Sequence, residues 1–323
     1  MRAALFCLFG VIQTATAAGA AAAGGPAVQA SYAAYWSGFS IATMDASLEL
    51  GAEAYRVEAT MRTAGLLAMF VRGEQVTLAE GRIEPAKTPL ALRPQRFLME
   101  GRWRDRLRRV ALAWAGERPE VLALLPAIQE EREPVPPELQ HGTVDTLTAL
   151  AALVRLVALE NRCDGAAQVF DGRRRSDFTA VTEGMETLEA HRWSGFAGPA
   201  LRCRFEGRQI AGFWKEQDRA EAAKPRGGTA WFASPGPGLP VIPVRIEADS
   251  AWGTVYVHMT RAGPGVLDLP AQRTERRRRR ARPHARLRAS SLPGRLPRDA
   301  DPRGELGSYR MRRTPERERT TRA

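Results

Sequence analysis

The chain has 323 residues, 44% of them hydrophobic, and 48 Lys and Arg stand against 36 Asp and Glu for a formal charge of +12. No segment beyond the N-terminal leader is continuously apolar for the ~20 residues that a membrane-crossing helix needs, which excludes a helical membrane bundle. Nor does the charge describe a nucleic-acid-binding domain: residues 271–323 hold 18 Arg and 6 acidic residues, or +12, so the remaining 30 basic and 30 acidic groups cancel.

At the N-terminus, Met1-Arg2 is a short positive region, residues 3–12 are apolar, and Ala15-Thr16-Ala17 fits small-x-small cleavage. This pattern predicts a signal peptide and a periplasmic or secreted protein. Val28-Gln29-Ala30 is a second cleavage point, so residues 1–30 are read as signal peptide and short linker, with the mature chain starting between Ala18 and Ser31. Cys7 lies inside the apolar stretch rather than at its end, which argues against lipidation.

Residues 31–268 read as one β-rich domain. Ala42, Met44, Ala46, Leu48 and Leu50 alternate with Asp45, Ser47 and Glu49, and Tyr55, Val57, Ala59 and Met61 alternate with Arg56, Glu58, Thr60 and Arg62. Period-two patterning is the mark of half-buried strands, and Gly51-Ala52-Glu53 supplies the hairpin turn between them. Ala64–Phe70 is an apolar patch between strands, a short helix or a flap, with contact with the core as its structural explanation. Strands are predicted around Glu74–Ile83, Leu90–Glu100 and Trp103–Trp114, the last two separated at Gly101. Glu130–Pro137, acidic and Pro-rich, predicts a surface loop.

One helix is predicted over Val144–Leu159, with Thr143 as N-cap and Asp145 in its first turn. Leu147, Leu150, Ala151, Val154 and Val157 form one face, Leu153 and Leu156 widen it, and Arg155 is the single charge between Thr146 and Leu159, so the helix should lie on a sheet. Strand signals resume at Gln168–Asp171, Asp177–Thr182 and Glu186–Trp193. Leu201, Cys203 and Phe205 alternate with Arg202, Arg204 and Glu206, and further strands follow at residues 242–249 and Ala251–Thr260. Strands, one helix, then strands predict a mainly β fold: an antiparallel sheet or open β-barrel or sandwich with one packed α-helix. Cys163 and Cys203, an even pair in an exported chain, predict a disulfide. Residues 269–323, beginning Arg273-Thr-Glu-Arg-Arg-Arg-Arg-Arg280, lack either apolar period and predict a disordered tail, with non-specific adhesion to anionic surfaces as its functional reading.

Tyr35-Trp36-Ser-Gly38, Asp145-Thr-Leu-Thr-Ala-Leu150, Val169-Phe-Asp-Gly-Arg-Arg-Arg175, Cys203 followed by Ile210-Ala-Gly212, and Leu239-Pro-Val-Ile-Pro-Val-Arg245 occur in that order. Together they resemble a family of exported bacterial proteins catalogued as domain of unknown function 3108, over roughly residues 31–260. The resemblance implies an envelope location and a β-rich fold, and it implies no activity.

Catalytic motifs are missing. His141, His191, His258 and His284 have no ligand spacing, no Gly-x-Ser-x-Gly elbow occurs, and Gly227-Gly228 is no phosphate loop. No catalytic residue, metal or cofactor is predicted. Two groups are ligand-binding candidates. Arg173 and Arg175, with Asp171 beside them, carry guanidinium forks suited to an anionic head group, although a type I′ hairpin turn with solvated charges is the favoured structural explanation. Leu66, Leu67 and Phe70 form the apolar flap. The expected function is non-enzymatic binding of an apolar or amphipathic ligand such as a lipid. The alternatives are an assembly module docking on envelope proteins, or a hydrolase using dispersed carboxylates such as Asp171 and Asp177. A lined, open cavity would favour the first and a filled core the second.

Overall fold

The structure, a computed structural model, describes residues 26–84, 90–250 and 253–265, all within one compact unit. The proposed signal sequence to residue 25 and the Arg-rich tail lie outside the described residues. In chain order the strands are β1 (Ala27–Trp36), β2 (Phe39–Leu50), β3 (Ala54–Thr63), β4 (Gly73–Ile83), β5 (Leu92–Trp103), β6 (Arg106–Trp114), β7 (Pro119–Leu125), β8 (Gly165–Phe170), β9 (Arg175–Leu188), β10 (Gly198–Ala211), β11 (Arg226–Ala233), β12 (Ile242–Ser250) and β13 (Gly253–Pro264). The helices are α1 (Leu67–Phe70), α2 (Ile128–Glu131), α3 (Thr146–Glu160) and α4 (Arg219–Ala222), with a 3-10 turn at Pro137–Gln140.

The strands form one antiparallel sheet in the order β7-β6-β5-β4-β3-β2-β1-β13-β12-β11-β10-β9-β8. Cross-strand partners share a face, and the register makes one apolar row of Val28, Leu48, Val57, Ala79, Phe97 and Leu112 across β1 to β6, each no more than 9% exposed. A second row, Cys203, Ala230, Ile246 and Val257, crosses β10 to β13. The sheet curls until Val110 and Leu112 of β6 share a core cluster with Phe170 of β8 and Ala211 of β10. It stays open, because no ladder joins β7 to β8. An open, curled antiparallel sheet with one packed helix is the architecture that the alternation predicts.

The chain between β7 and β8 fills this gap. Glu133 N–H donates to Phe213 O at 2.9 Å, Arg132 Nη1 to Gly212 O at 2.7 Å, and Val144 exchanges backbone bonds with Gln168 and Phe170. Residues 130–137, predicted as a surface loop, therefore bury Arg132 and Val135. Arg132 lies on the Trp214 ring, 3.9 Å from its centroid, and burial, followed by the positive field of Arg174, lowers its pKa to about 10.

Several boundaries move for physical reasons. β1 starts at Ala27 with Val28 and Ala30 in the core, so residues 27–30 belong to the domain and not to a linker. The β5–β6 hairpin turns at Arg104-Asp105, where φ is 51° and 62°. Gly101 lies inside β5, where a Cβ would stand 2.2 Å from Glu74 O, so its role is close strand approach. The two strands predicted over 177–193 are one, β9, and Trp193 lies in the loop after it. In the β8–β9 turn φ is positive at Gly172, the first central residue, and not at Arg173, which is the II′ pattern rather than I′.

Candidate functional site

The site is built around α3. Asp145, predicted in the first turn, is the N-cap: its carboxylate accepts from Thr148 N–H at 2.9 Å, while Thr143 lies before the helix and donates to Gln140 O. Asn161 closes the other end in the left-handed conformation, with its N–H on Val157 O. Ala151, Val154 and Val157 are buried in the main core, and Tyr55 Oη lies 2.6 Å from Thr148 Oγ1, tying the helix to β3. Thr148 Oγ1 in turn donates to Asp145 Oδ2.

Asp145 is fully buried, and that burial raises its pKa to about 6 against the opposing hydrogen bonds from Thr148. A raised carboxyl pKa favours the fold below the ordinary Asp value, and the advantage is lost as pH climbs through about 6. The shift corresponds to about 3 kcal/mol. Asp145→Asn keeps a capping oxygen and removes the titration. Its stability relative to the parent is therefore expected to rise by up to about 3 kcal/mol between pH 4 and pH 7, read from urea midpoints. A pH-independent difference would refute the raised pKa.

The far end of α3 is held by covalent chemistry. Cys163 and Cys203 form a disulfide with a Cα–Cα distance of 6.2 Å, and both are buried. Around it, Cys163 N–H donates to Thr182 Oγ1 at 2.9 Å and the Thr182 hydroxyl donates to Asp164 Oδ2 at 2.7 Å. These bonds from Thr182 keep the Asp164 carboxyl below its usual range.

Between these two anchors, α3 roofs a pocket of about 540 Å³ over the inner face of β8 to β12. Leu147, Leu150 and Leu153 line the helix side, and Phe178, Ala180, Phe205, Phe232 and Ile246 line the sheet side. The polar lining groups are Thr146, Thr148, Gln168 and Thr179, and no lining residue is ionisable. Leu150 and Phe178 are 37% and 36% exposed, which gives the site an apolar rim. Such a surface can take up an aliphatic chain.

The residues singled out from the sequence lie elsewhere. Arg173 and Arg175 are 6% and 4% exposed, so their charges are not solvated. Arg173 Nη2 donates to Pro126 O at 2.9 Å and also to Leu125 O, while Arg175 donates to Leu139 O at 3.0 Å and to Ser176 O and Asp177 Oδ1, each at 2.7 Å. Both guanidiniums clamp the crossover segment onto the sheet. Asp171 accepts from the Arg173 and Arg174 N–H groups. Burial opposes its charge, yet the Arg174 guanidinium holds its pKa below the usual carboxylate range. Leu66, Leu67 and Phe70 are on or beside α1, which buries no residue, so the flap is not a core contact. None of these six lines the pocket. The fold does bring His191 and His258 together, with ring centroids 5.4 Å apart, against Tyr35 and Trp193. Among the described residues no group of three metal-ligating side chains assembles.

The pocket-lining leucines of α3 were visible in the sequence as an apolar helix face. Their sheet partners were not, because residues from six strands meet only through curvature.

A family model described as "Protein of unknown function (DUF3108)" matches residues 31–260. No curated protein matches the chain. Among solved structures, the crystal structure of a β-barrel-like protein of domain of unknown function DUF1849 from Brucella abortus is similar at a TM-score of 0.47 and 11% identity, covering 76% of this chain and 99% of that one.

Proposed function

The chain belongs to the DUF3108 family of proteins of unknown function, and we propose that its domain binds an apolar or amphipathic ligand, such as a lipid, with the aliphatic part seated beneath α3. The observation that carries this reading is a pocket of about 540 Å³ whose lining contains no ionisable group. Its size falls within the ~300–1,000 Å³ range of small-molecule sites, and a charged head would be left at the rim, in contact with water. A filled core would have favoured a purely docking role. The proposal includes an exported, oxidising location, which the apolar leader at residues 3–12 and the Cys163–Cys203 pair support.

Full-length protein recovered from the periplasm is expected to carry a lipid-sized adduct in native mass spectrometry. After delipidation it should take up a fluorescent fatty acid saturably, with a blue shift of the probe. Protein that is folded and adduct-free, and that leaves the probe in water, would end this reading.

A further inference from the structure

We propose that the end of the sheet carrying the β1–β2, β3–β4 and β5–β6 turns docks on the surface of an anionic phospholipid bilayer, with the α1 flap entering the interface. In an antiparallel meander these three connections emerge at one end. That end exposes Phe39 (57%), Leu66 (57%), Met69 (76%), Phe70 (82%), Trp103 (38%) and Leu107 (46%). Since α1 buries no residue, Met69 and Phe70 at its end stand clear of the core.

The flap is fixed at both ends rather than trailing. Ala64 N–H donates to Ile41 O at 3.0 Å, and Arg104 N–H donates to Arg72 O at 3.1 Å, joining it to β2 and to the β5–β6 turn. At its base, Gly65 has a φ of +56°, and a Cβ there would stand 2.3 Å from Ser40 O, a close approach that only glycine allows. The tip is therefore presented as a preformed shape.

Charge complementarity selects the occupant. Arg72, Arg102, Arg104 and Arg106 are exposed around the tip, and none forms an ion pair with another described residue. Arg62, further down the sheet, is matched by Glu74 at 2.9 Å and Asp45 at 3.6 Å. Glu74 stands opposite Arg102 but binds Arg62, and counting Arg62 with the four free guanidiniums against Asp45, Glu74, Glu100 and Asp105 gives five cations and four carboxylates, one net positive charge. Aromatic and aliphatic knobs with arginines at their edge suit an interface where the apolar groups enter and the cations meet lipid phosphates. Each arginine near an anionic surface strengthens binding about fivefold.

The test uses the full chain and vesicles of equal parts phosphatidylglycerol and phosphatidylcholine. The Arg-rich segment 271–323 also attracts anionic vesicles, so the experiment must separate insertion from adhesion. In Phe70→Trp, lipids with brominated acyl chains are expected to quench a larger share of the emission than in the parent, whose seven tryptophans include Trp103 at the same end, whereas Leu122→Trp, on β7, should add only unquenched emission. At high salt, which screens adhesion, Met69→Asp/Phe70→Asp is expected to lower vesicle partitioning at least about tenfold, the effect of about 1.4 kcal/mol. Unchanged circular dichroism would show that these exposed substitutions leave the fold intact. Partitioning that survives the double variant, or an unquenched tryptophan at position 70, overturns the proposal. So does a protein cross-linked at the tip of a chain that ignores vesicles. Acyl-chain uptake by the pocket is read separately, so either idea can fail alone.

Discussion

Replacing both Cys163 and Cys203 by Ala is expected to lower the melting temperature by about 8–16 °C. The two cysteines are 40 residues apart in sequence, and closing a loop of that length removes unfolded-chain entropy equivalent to about 4 kcal/mol. For a domain of this size each kcal/mol moves the midpoint by about 2–4 °C. The double replacement avoids a stray thiol, and the small side chain fits positions that are already buried. A calorimetric scan of the variant checks the figure, and a shift below about 3 °C would mean that the bridge constrains little of the unfolded chain. Cys163 follows the last residue of α3 by three positions, so the bridge also fixes the pocket's roof. Ligand should therefore restore part of the lost stability, because whatever binds only the folded form shifts the midpoint upward.

The second large effect concerns the pocket itself. Ala180→Trp projects an indole from β9 into the space beneath α3. Val181→Trp places the same group one residue along, on the other face of the strand and 46% exposed before substitution. Overpacking of a filled site costs about 1–3 kcal/mol, so Ala180→Trp is expected to weaken fatty-acid binding by about 10–100-fold. Val181→Trp should bind as the parent does. Titration of the probe into each folded variant decides: equal affinities would place the ligand elsewhere.

Much of the fold was legible because alternation is a local property. Tyr55 and Val57 face inward against Arg56, and Cys203 points into the core between Arg202 and Arg204, as their period predicts. The disulfide was readable from the even pair of cysteines left once the N-terminal apolar segment is read as an export signal. What escaped depends on partners without a residue-type signature. Arg173 and Arg175 carry the composition of an anion grip, but their acceptors are mostly backbone carbonyls at Leu125, Pro126 and Leu139, which any sequence could supply. Asp145 looked like a dipole-complementing charge until tertiary packing closed over it. β7 went unnoticed because Val121-Leu122-Ala123-Leu124 is a continuous apolar run without alternation, on the sheet's edge. The pocket was illegible for a related reason: curvature, not periodicity, decides which inward side chains leave space between them.

The strand order has a consequence for biogenesis. The first strand, β1, has the last, β13, as its neighbour in the middle of the sheet, and Gly265 N–H reaches Ala27 O at 3.1 Å. During synthesis, β1 to β7 can zip as successive hairpins, as can β8 to β12. The two halves nevertheless stay separate leaves until the final strand arrives as keystone. Contacts so distant in sequence form slowly. Until they do, the unpaired borders of β1 and β12 are the parts of the nascent chain that most need an escort.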